Sequence, residues 1–497
     1  MAELMQHMRR WYGKLLGLTI FGAVLRVCHL GSNSYWLDEA ISVLIARLRV
    51  PLIVSNAGRS SHPGLYYLLL HYWLRLGTAE AWTRAVSAFW GILTVPAVFV
   101  LGASLFNRKV ALLASLMLAL APFHVAYSQE TRMYTQLTFL SVVTLICFYR
   151  AKMTGASSWW VAMGFITATA AATHLFASLI LAAMNVYVLF CRREARIKML
   201  LIDLAALIVV APHLSNMLGS AEYRVGGLRP LVGKSRPSLL FPLTAIHLLL
   251  TGYSIGPRLM PVALFCTLAI FTVTLWEVGR AIRCRSEGWR SLLLLSLVVG
   301  ITLLGPFTLA QIQPIFLPER TLLIALPSMV LLISWGICEV RRKTPLPALG
   351  IGLILVMVLS LWGYYVDPDF QKPPMREAAA LVQNGFEEGD AVLHTSDGSY
   401  LPFLIYLGDS DNFLLRGDPD PRKSEAVYRM WGGELVQKGD LRDRFERLWL
   451  IVALDHSIEF QQQALAWFEA RHPSLDRYDV GGIGIYLLDL TATQVDR

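Results

Sequence analysis

Two adjacent carboxylates, Asp38 and Glu39, follow the first apolar run of the chain, in Ser34-Tyr35-Trp36-Leu37-Asp38-Glu39-Ala40. Carboxylates this close to hydrocarbon are costly unless solvated, paired or catalytic. The rings of Tyr35 and Trp36 place them at a membrane–water boundary, where amphipathic aromatics collect. Similar polar islands recur between later apolar runs: His62-Pro63-Gly64, Gln129-Glu130-Thr131-Arg132-Met133-Tyr134, the single His174, and Pro318-Glu319-Arg320. Carboxylates accept protons and guanidinium groups hold anions, so these islands carry the elements of an acid–base and anion-binding site. Each also has a plainer reading, as a solvated loop or a tie between helix ends.

The elements that must position them are membrane helices. Of 497 residues, 55% are hydrophobic and 16% charged, and the mean hydropathy is +0.51. That composition excludes an ordinary soluble protein. The net charge of +9 resides mostly in short basic clusters between apolar runs, which topology explains better than a nucleic-acid partner does. The six cysteines have no metal-ligand spacing, and none follows Cys338. The first run starts near Lys14 without a small-residue cleavage site and reads as a retained helix.

Eleven spans are expected, at roughly 15–31, 82–105, 110–128, 132–150, 158–173, 175–191, 199–217, 258–280, 291–311, 321–339 and 346–366. With the amino terminus (Arg9, Arg10, Lys14) inside, every second loop is basic, ending with Arg341-Arg342-Lys343. The register requires that residues 62–77 stay out of the bilayer. Their apolar core, Leu65 to Leu76, rises only about 18 Å as a helix and is expected to lie along the outer face.

Eleven crossings put residues 367–497 outside, beyond a boundary marked by Asp367-Pro368-Asp369 and Pro373-Pro374. This tail reads as a small α/β domain: helix 375–386, strand 390–395, strand 447–454, helix 458–471 and strand 484–490. There is no internal repeat. The fourth outer loop, about 219–257, carries Glu222, Tyr223, Arg224, Arg229, Lys234 and Arg236, and reads as mobile and cationic. Acids and cations thus gather on one side of the membrane. A transporter more often carries polar groups at the midplane of broken, repeated helices.

In order along the chain, Tyr-Trp-Leu-Asp-Glu, His-Pro before a Tyr-rich helix, Gln-Glu-x-Arg-x-Tyr and Leu-Pro-Glu-Arg resemble the motifs of GT-C glycosyltransferases. The protein O-mannosyltransferase and lipid A aminoarabinose or galacturonosyl transferase superfamily is the particular likeness. It covers roughly residues 10–366. It implies an α-helical polytopic membrane protein with a transmembrane domain over 1–366, an outer juxtamembrane loop over 31–81, and a small extracytoplasmic α/β domain over 367–497.

The resemblance further implies an inverting transfer of a sugar from a polyprenyl-monophosphate donor to an extracytoplasmic acceptor, in the cell (inner) membrane. By that likeness Asp38 is the base, and Glu39 orients the acceptor or pairs with an arginine. Arg320, Arg132 and His62 are the donor-phosphate ligands, while Glu130, Arg26, His174 and Tyr134 support the site. Arg26 is expected to snorkel outward to a carboxylate, and His174 to cap its turn. No Asp-x-Asp-like element accompanies Glu130, so transfer without a metal or other cofactor is expected. A lipid or polysaccharide transporter and a non-catalytic assembly subunit are the alternatives.

Overall fold

The computed structural model describes residues 2–57, 62–219, 236–312, 317–340, 344–408, 411–417, 428–429, 431–442, 444–453 and 458–492. The chain resolves into two compact units. The first comprises Met1–Leu30, Val54–Leu69 and Arg84–Phe370, and the second Gly31–Ile53, Leu70–Thr83 and Gln371–Arg497.

The first unit is helical. Among the described residues, seven helices of the chain are long and apolar enough to cross a bilayer: Glu80–Leu105, Tyr134–Thr154, Arg193–Ser215, Met260–Arg283, Trp289–Ile312, Glu319–Glu339 and Leu346–Val366. Arg108–Leu120 and Pro122–Ser128, which meet at a 60° bend, pass the same test together, as a broken span or a re-entrant pair. The other three of the eleven expected spans fall on helices outside that set. The expected spans 158–173 and 175–191 coincide with helices Ser157–Thr173 and Ala177–Cys191, of 17 and 15 residues. Those rise only about 26 and 23 Å, against a hydrocarbon core of about 30 Å. The expected span 15–31 overlaps helix Ala2–Val27, which ends four residues earlier. Leu65–Trp73 is a nine-residue helix, too short to cross.

The break has a covalent cause. Pro122 has no N–H to give the Leu118 carbonyl four residues earlier. Arg26 supplies the donors instead: Nη2 reaches the Leu118 carbonyl at 3.1 Å, and Nη1 reaches those of Ala119 at 3.3 Å and Gly22 at 2.9 Å. Nη2 also meets His124 Nδ1 at 2.9 Å. The expected outward snorkelling of Arg26 to a carboxylate is therefore corrected. Its side chain is fully buried, bonded to two carbonyls at the end of helix Arg108–Leu120 and to the Gly22 carbonyl of its own helix.

The expected loop 219–257 is also corrected in its second half, where Phe241–Thr251 forms a helix. Glu222, Tyr223, Arg224, Arg229 and Lys234 lie outside the described residues, as does Arg341-Arg342-Lys343.

The second unit contains a six-stranded mixed sheet in the order β3-β2-β1-β4-β6-β5. Its strands are β1 Asp390–His394, β2 Asn412–Leu415, β3 Glu434–Val436, β4 Arg447–Val452, β5 Ser474–Val480 and β6 Ile483–Asp489. The pairs β1–β2, β2–β3 and β1–β4 are parallel, and β4–β6 and β5–β6 antiparallel. Gly481 and Gly482 both have positive φ, as the tight turn between β5 and β6 requires. Central strands are apolar on both faces. Leu448 and Leu450 pack with Ala464 and Phe468 of helix Ile458–Glu469, and Trp449 and Ile451 with Ala378 and Val382 of helix Met375–Gly385.

An early segment belongs to this unit too. Ala40 and Leu44 of helix Leu37–Arg47 pack on Tyr400, Leu401 and Leu404 of helix Asp397–Tyr406 and on Leu414 of β2. Arg376 donates to the carbonyls of Gly31 at 3.3 Å and Ser32 at 3.1 Å and pairs with Glu80. Ser34 donates to Glu377 at 2.9 Å, and Tyr406 accepts from the Tyr35 N–H at 2.8 Å.

Where the central strands β1 and β4 begin, Arg447 donates to buried Asp390 through Nε at 2.7 Å and Nη2 at 2.8 Å, beside Trp449 Nε1 at 2.9 Å. Burial alone would push the Asp390 carboxyl up, but these bonds and the Arg447 charge hold it below its ordinary value. Arg447→Ala should destabilise the unit by about 3 kcal/mol, read as a fall in thermal midpoint. The deficit of Asp390→Asn should be complete above the ordinary aspartate pKa. It should vanish as pH falls through the depressed native value.

Candidate functional site

In the helical unit the segment Gln129–Met133 joins the bent helix pair to helix Tyr134–Thr154 and is buried, so its backbone needs partners. Ser87 Oγ donates to the Arg132 carbonyl at 2.8 Å and accepts the Arg132 N–H at 3.3 Å. The Ser87 carbonyl accepts from Thr135 Oγ1 at 2.8 Å. Gln129 ties the other end, donating to the Cys28 carbonyl at 2.7 Å and accepting from the Tyr364 hydroxyl at 3.0 Å. The motif residues are thereby fixed before any ligand arrives.

Two guanidinium groups converge on one phenol. Tyr134 Oη accepts from Arg320 Nε at 3.0 Å and from Arg132 Nη2 at 3.3 Å, and Arg132 also lies 5.5 Å from the Tyr134 ring centre. Arg320 stands on the short 3-10 turn Glu319–Ala325, and Tyr134 opens its helix, so both are held by element ends. The His174 ring lies 4.9 Å from the His62 ring and 6.1 Å from the Tyr134 ring. Burial holds the His62 imidazole well below its ordinary pKa, reinforced by His174, Arg132, Arg320 and His213. Burial with Arg132 and His213 lowers His174 to about 3. Both imidazoles are neutral at physiological pH, so the formal positive charge belongs to the guanidiniums. Glu130, also buried, together with burial raises the Tyr253 phenol.

This unit brings together His62, Arg132, Tyr134, His174 and Arg320, which come from four separate stretches of the sequence. It adds His213, which sequence reasoning missed. The signal was there: an ionisable residue near the end of an apolar span is a functional candidate by default.

Asp38 and Glu39 belong to the second unit, in the first turn of helix Leu37–Arg47, where the helix dipole favours negative charge. Glu39 is fully buried and accepts from Lys372 Nζ at 2.9 Å. Lys372 also lies 5.5 Å from the centre of the Trp36 ring. The expected arginine partner of Glu39 is thus corrected to a lysine just beyond the last membrane helix. Asp38 is half-buried, and its carbonyl accepts from Ser42 Oγ at 3.0 Å. Among the described residues no cluster of three His, Cys, Asp or Glu side chains has metal-holding geometry.

Lys372→Met should leave the Glu39 carboxylate buried against a lost charge and lower stability by about 3 kcal/mol. Adding Glu39→Gln should recover much of that loss. A double-mutant cycle on thermal midpoints checks it, and additive effects would show the pair is not coupled.

With this geometry in hand, the likenesses to known proteins become informative. Residues 61–215, which include His62, Arg132, Tyr134, His174 and His213, match the family model described as Dolichyl-phosphate-mannose-protein mannosyltransferase. No curated protein sequence matches the chain. The fold is similar to that of ArnT from Cupriavidus metallidurans bound to undecaprenyl phosphate, with a TM-score of 0.65 at 14% identity, covering 96% of this chain and 98% of that one. It is also similar to the archaeal oligosaccharyltransferase AglB from Archaeoglobus fulgidus, in complex with an inhibitory peptide and a dolichol-phosphate. There the TM-score is 0.53 at 12% identity, covering 96% of this chain and 74% of that one. The chain is a multi-pass membrane protein whose fold is similar to those of ArnT and AglB, and its residues 61–215 match the mannosyltransferase family model.

Proposed function

We propose that this protein moves a sugar from a polyprenyl-monophosphate donor to an acceptor hydroxyl on the extracytoplasmic face, with inversion at the anomeric carbon. The observation that carries the reading is the convergence of Arg132 and Arg320 on the Tyr134 oxygen, with His62 and His174 beside it. Paired guanidinium groups suit a phosphate monoester, and desolvation strengthens their hold. Similar folds occur in proteins solved with undecaprenyl phosphate and dolichol-phosphate, which supports a lipid-linked donor.

The chemistry asked of the protein is modest. Asp38 takes the proton of the acceptor hydroxyl, whose oxygen attacks the anomeric carbon as the bond to phosphate breaks. The electron pair goes to the phosphate oxygen, and Arg132 and Arg320 meet the charge that develops there. Glu39, paired with Lys372, fixes the first turn of the Asp38 helix. The guanidiniums supply the counter-charge, so this reading invokes no metal.

On this reading all eleven expected spans cross and the basic clusters mark the inner loops, so the amino terminus lies in the cytoplasm and residues 367–497 outside. Protease added to intact spheroplasts should cleave the 367–497 region and spare the Arg341-Arg342-Lys343 loop. Protection of that region would reverse the orientation.

Single-turnover transfer from a polyprenyl-phosphate sugar, with release of free polyprenyl phosphate, tests the function. Asp38→Asn keeps size but removes the proton acceptor, and transfer should fall by about 10²–10⁴-fold with donor affinity nearly unchanged. Arg320→Ala should weaken donor binding and slow transfer together, by a contact worth about 1.5–3 kcal/mol. Arg320→Lys should restore only part, since a point charge does not reproduce the fork. Near wild-type transfer by Asp38→Asn would remove Asp38 from the role of base.

A further inference from the structure

We propose that His174 is a ligand of the donor phosphate, contributing a neutral Nε2–H hydrogen bond beside the two guanidiniums. The inference rests on the phosphate-clamp reading above and gives a specific part in it to a residue expected to support the site and to cap its turn.

The capping expectation is half of the answer. His174 ends helix Ser157–Thr173, its own N–H bonded to the Ala170 carbonyl at 3.0 Å and its carbonyl accepting from the Ala177 N–H at 3.1 Å. Its Nδ1 accepts the Phe176 N–H at 3.1 Å, which caps the turn. An imidazole nitrogen that accepts a backbone N–H carries no proton, so in the neutral ring the proton sits on Nε2. The turn therefore selects the tautomer.

Nε2 is the other half. The side chain is 4% exposed, and Nε2 has no hydrogen-bond partner among the described residues. A buried N–H without an acceptor is costly, and such groups in a native structure call for a ligand or a functional reason. The ring stands beside His62 and Tyr134 and close to Arg132, whose positive charge favours an anion there. A neutral donor also suits this position better than a third cation. It adds a hydrogen bond without adding repulsion between like charges already packed together.

Two substitutions separate the two nitrogens. In His174→Asn, Oδ1 can take over the Phe176 N–H while nothing replaces Nε2–H. In His174→Gln, the side-chain amide reaches the Nε2 position while the cap is lost. Affinity for a short-chain polyprenyl monophosphate, donor KM, kcat and thermal midpoint are measured on the full chain in detergent. We expect His174→Asn to keep its midpoint but lose about ten-fold in affinity, the scale for a hydrogen bond to a charged group. Donor KM should rise more than kcat falls. His174→Gln should show a lower midpoint and recover most of the affinity. The reverse pattern, with Asn binding like wild type and Gln impaired, makes His174 a cap alone and overturns the inference while leaving the clamp intact. Failure of the wild-type protein to bind polyprenyl monophosphate overturns both.

Discussion

A peptide carbonyl in hydrocarbon must find a donor, and the helix break at Pro122 leaves the Leu118 carbonyl only the Ala121 N–H at 3.3 Å in place of its regular helical bond. The fully buried Arg26 answers that demand, spanning the Gly22, Leu118 and Ala119 carbonyls and His124. Because the break is paid for there, the chain can bend by 60° and then run as the buried segment Gln129–Met133. Gln129 and Ser87 fix the two ends of that segment, and Arg132 and Tyr134 follow from it. The segment that carries Arg132 and Tyr134 is therefore built on a backbone break and a buried arginine that bonds across it.

The architecture was legible because it rests on long, strong signals. Apolar runs and basic loops point to a polytopic membrane protein, and the short motifs carry the resemblance to GT-C enzymes. Within the tail, helices 375–386 and 458–471 and the cores of β1, β4 and β6 were readable from apolar patterning. Strands β2, β3 and β5 and helix Asp397–Tyr406 were not. β3 is three residues long, and β5 is an exposed edge whose Ser474-Leu-Asp-Arg-Tyr-Asp-Val run offers no buried face to read.

The site was legible in residue types and only partly in their pairings. Arg132, Arg320, His62, His174 and Tyr134 do come together, since each sits at the end of an apolar run. Pairings across long sequence separations depend on packing and leave no local trace. Glu39 meets Lys372 rather than an arginine, and Arg26 meets carbonyls rather than a carboxylate. His213 was passed over because it is embedded in a span whose apolar character dominates the reading.

The acidic loop is made early and completed late. Ser34 bonds to Glu377, 343 residues further on, and Glu39 pairs with Lys372 across 333 residues. During synthesis, helix Leu37–Arg47 emerges with its Ala40 and Leu44 face uncovered, long before the strand and helices that cover it exist. Such distant contacts are formed only after a large loop-closure cost has been met. A nascent chain therefore carries Asp38 and Glu39 in an unfinished setting until helix Asp397–Tyr406 and β2 have been translated. Any truncation before β2 leaves helix Leu37–Arg47 without the surface it folds upon.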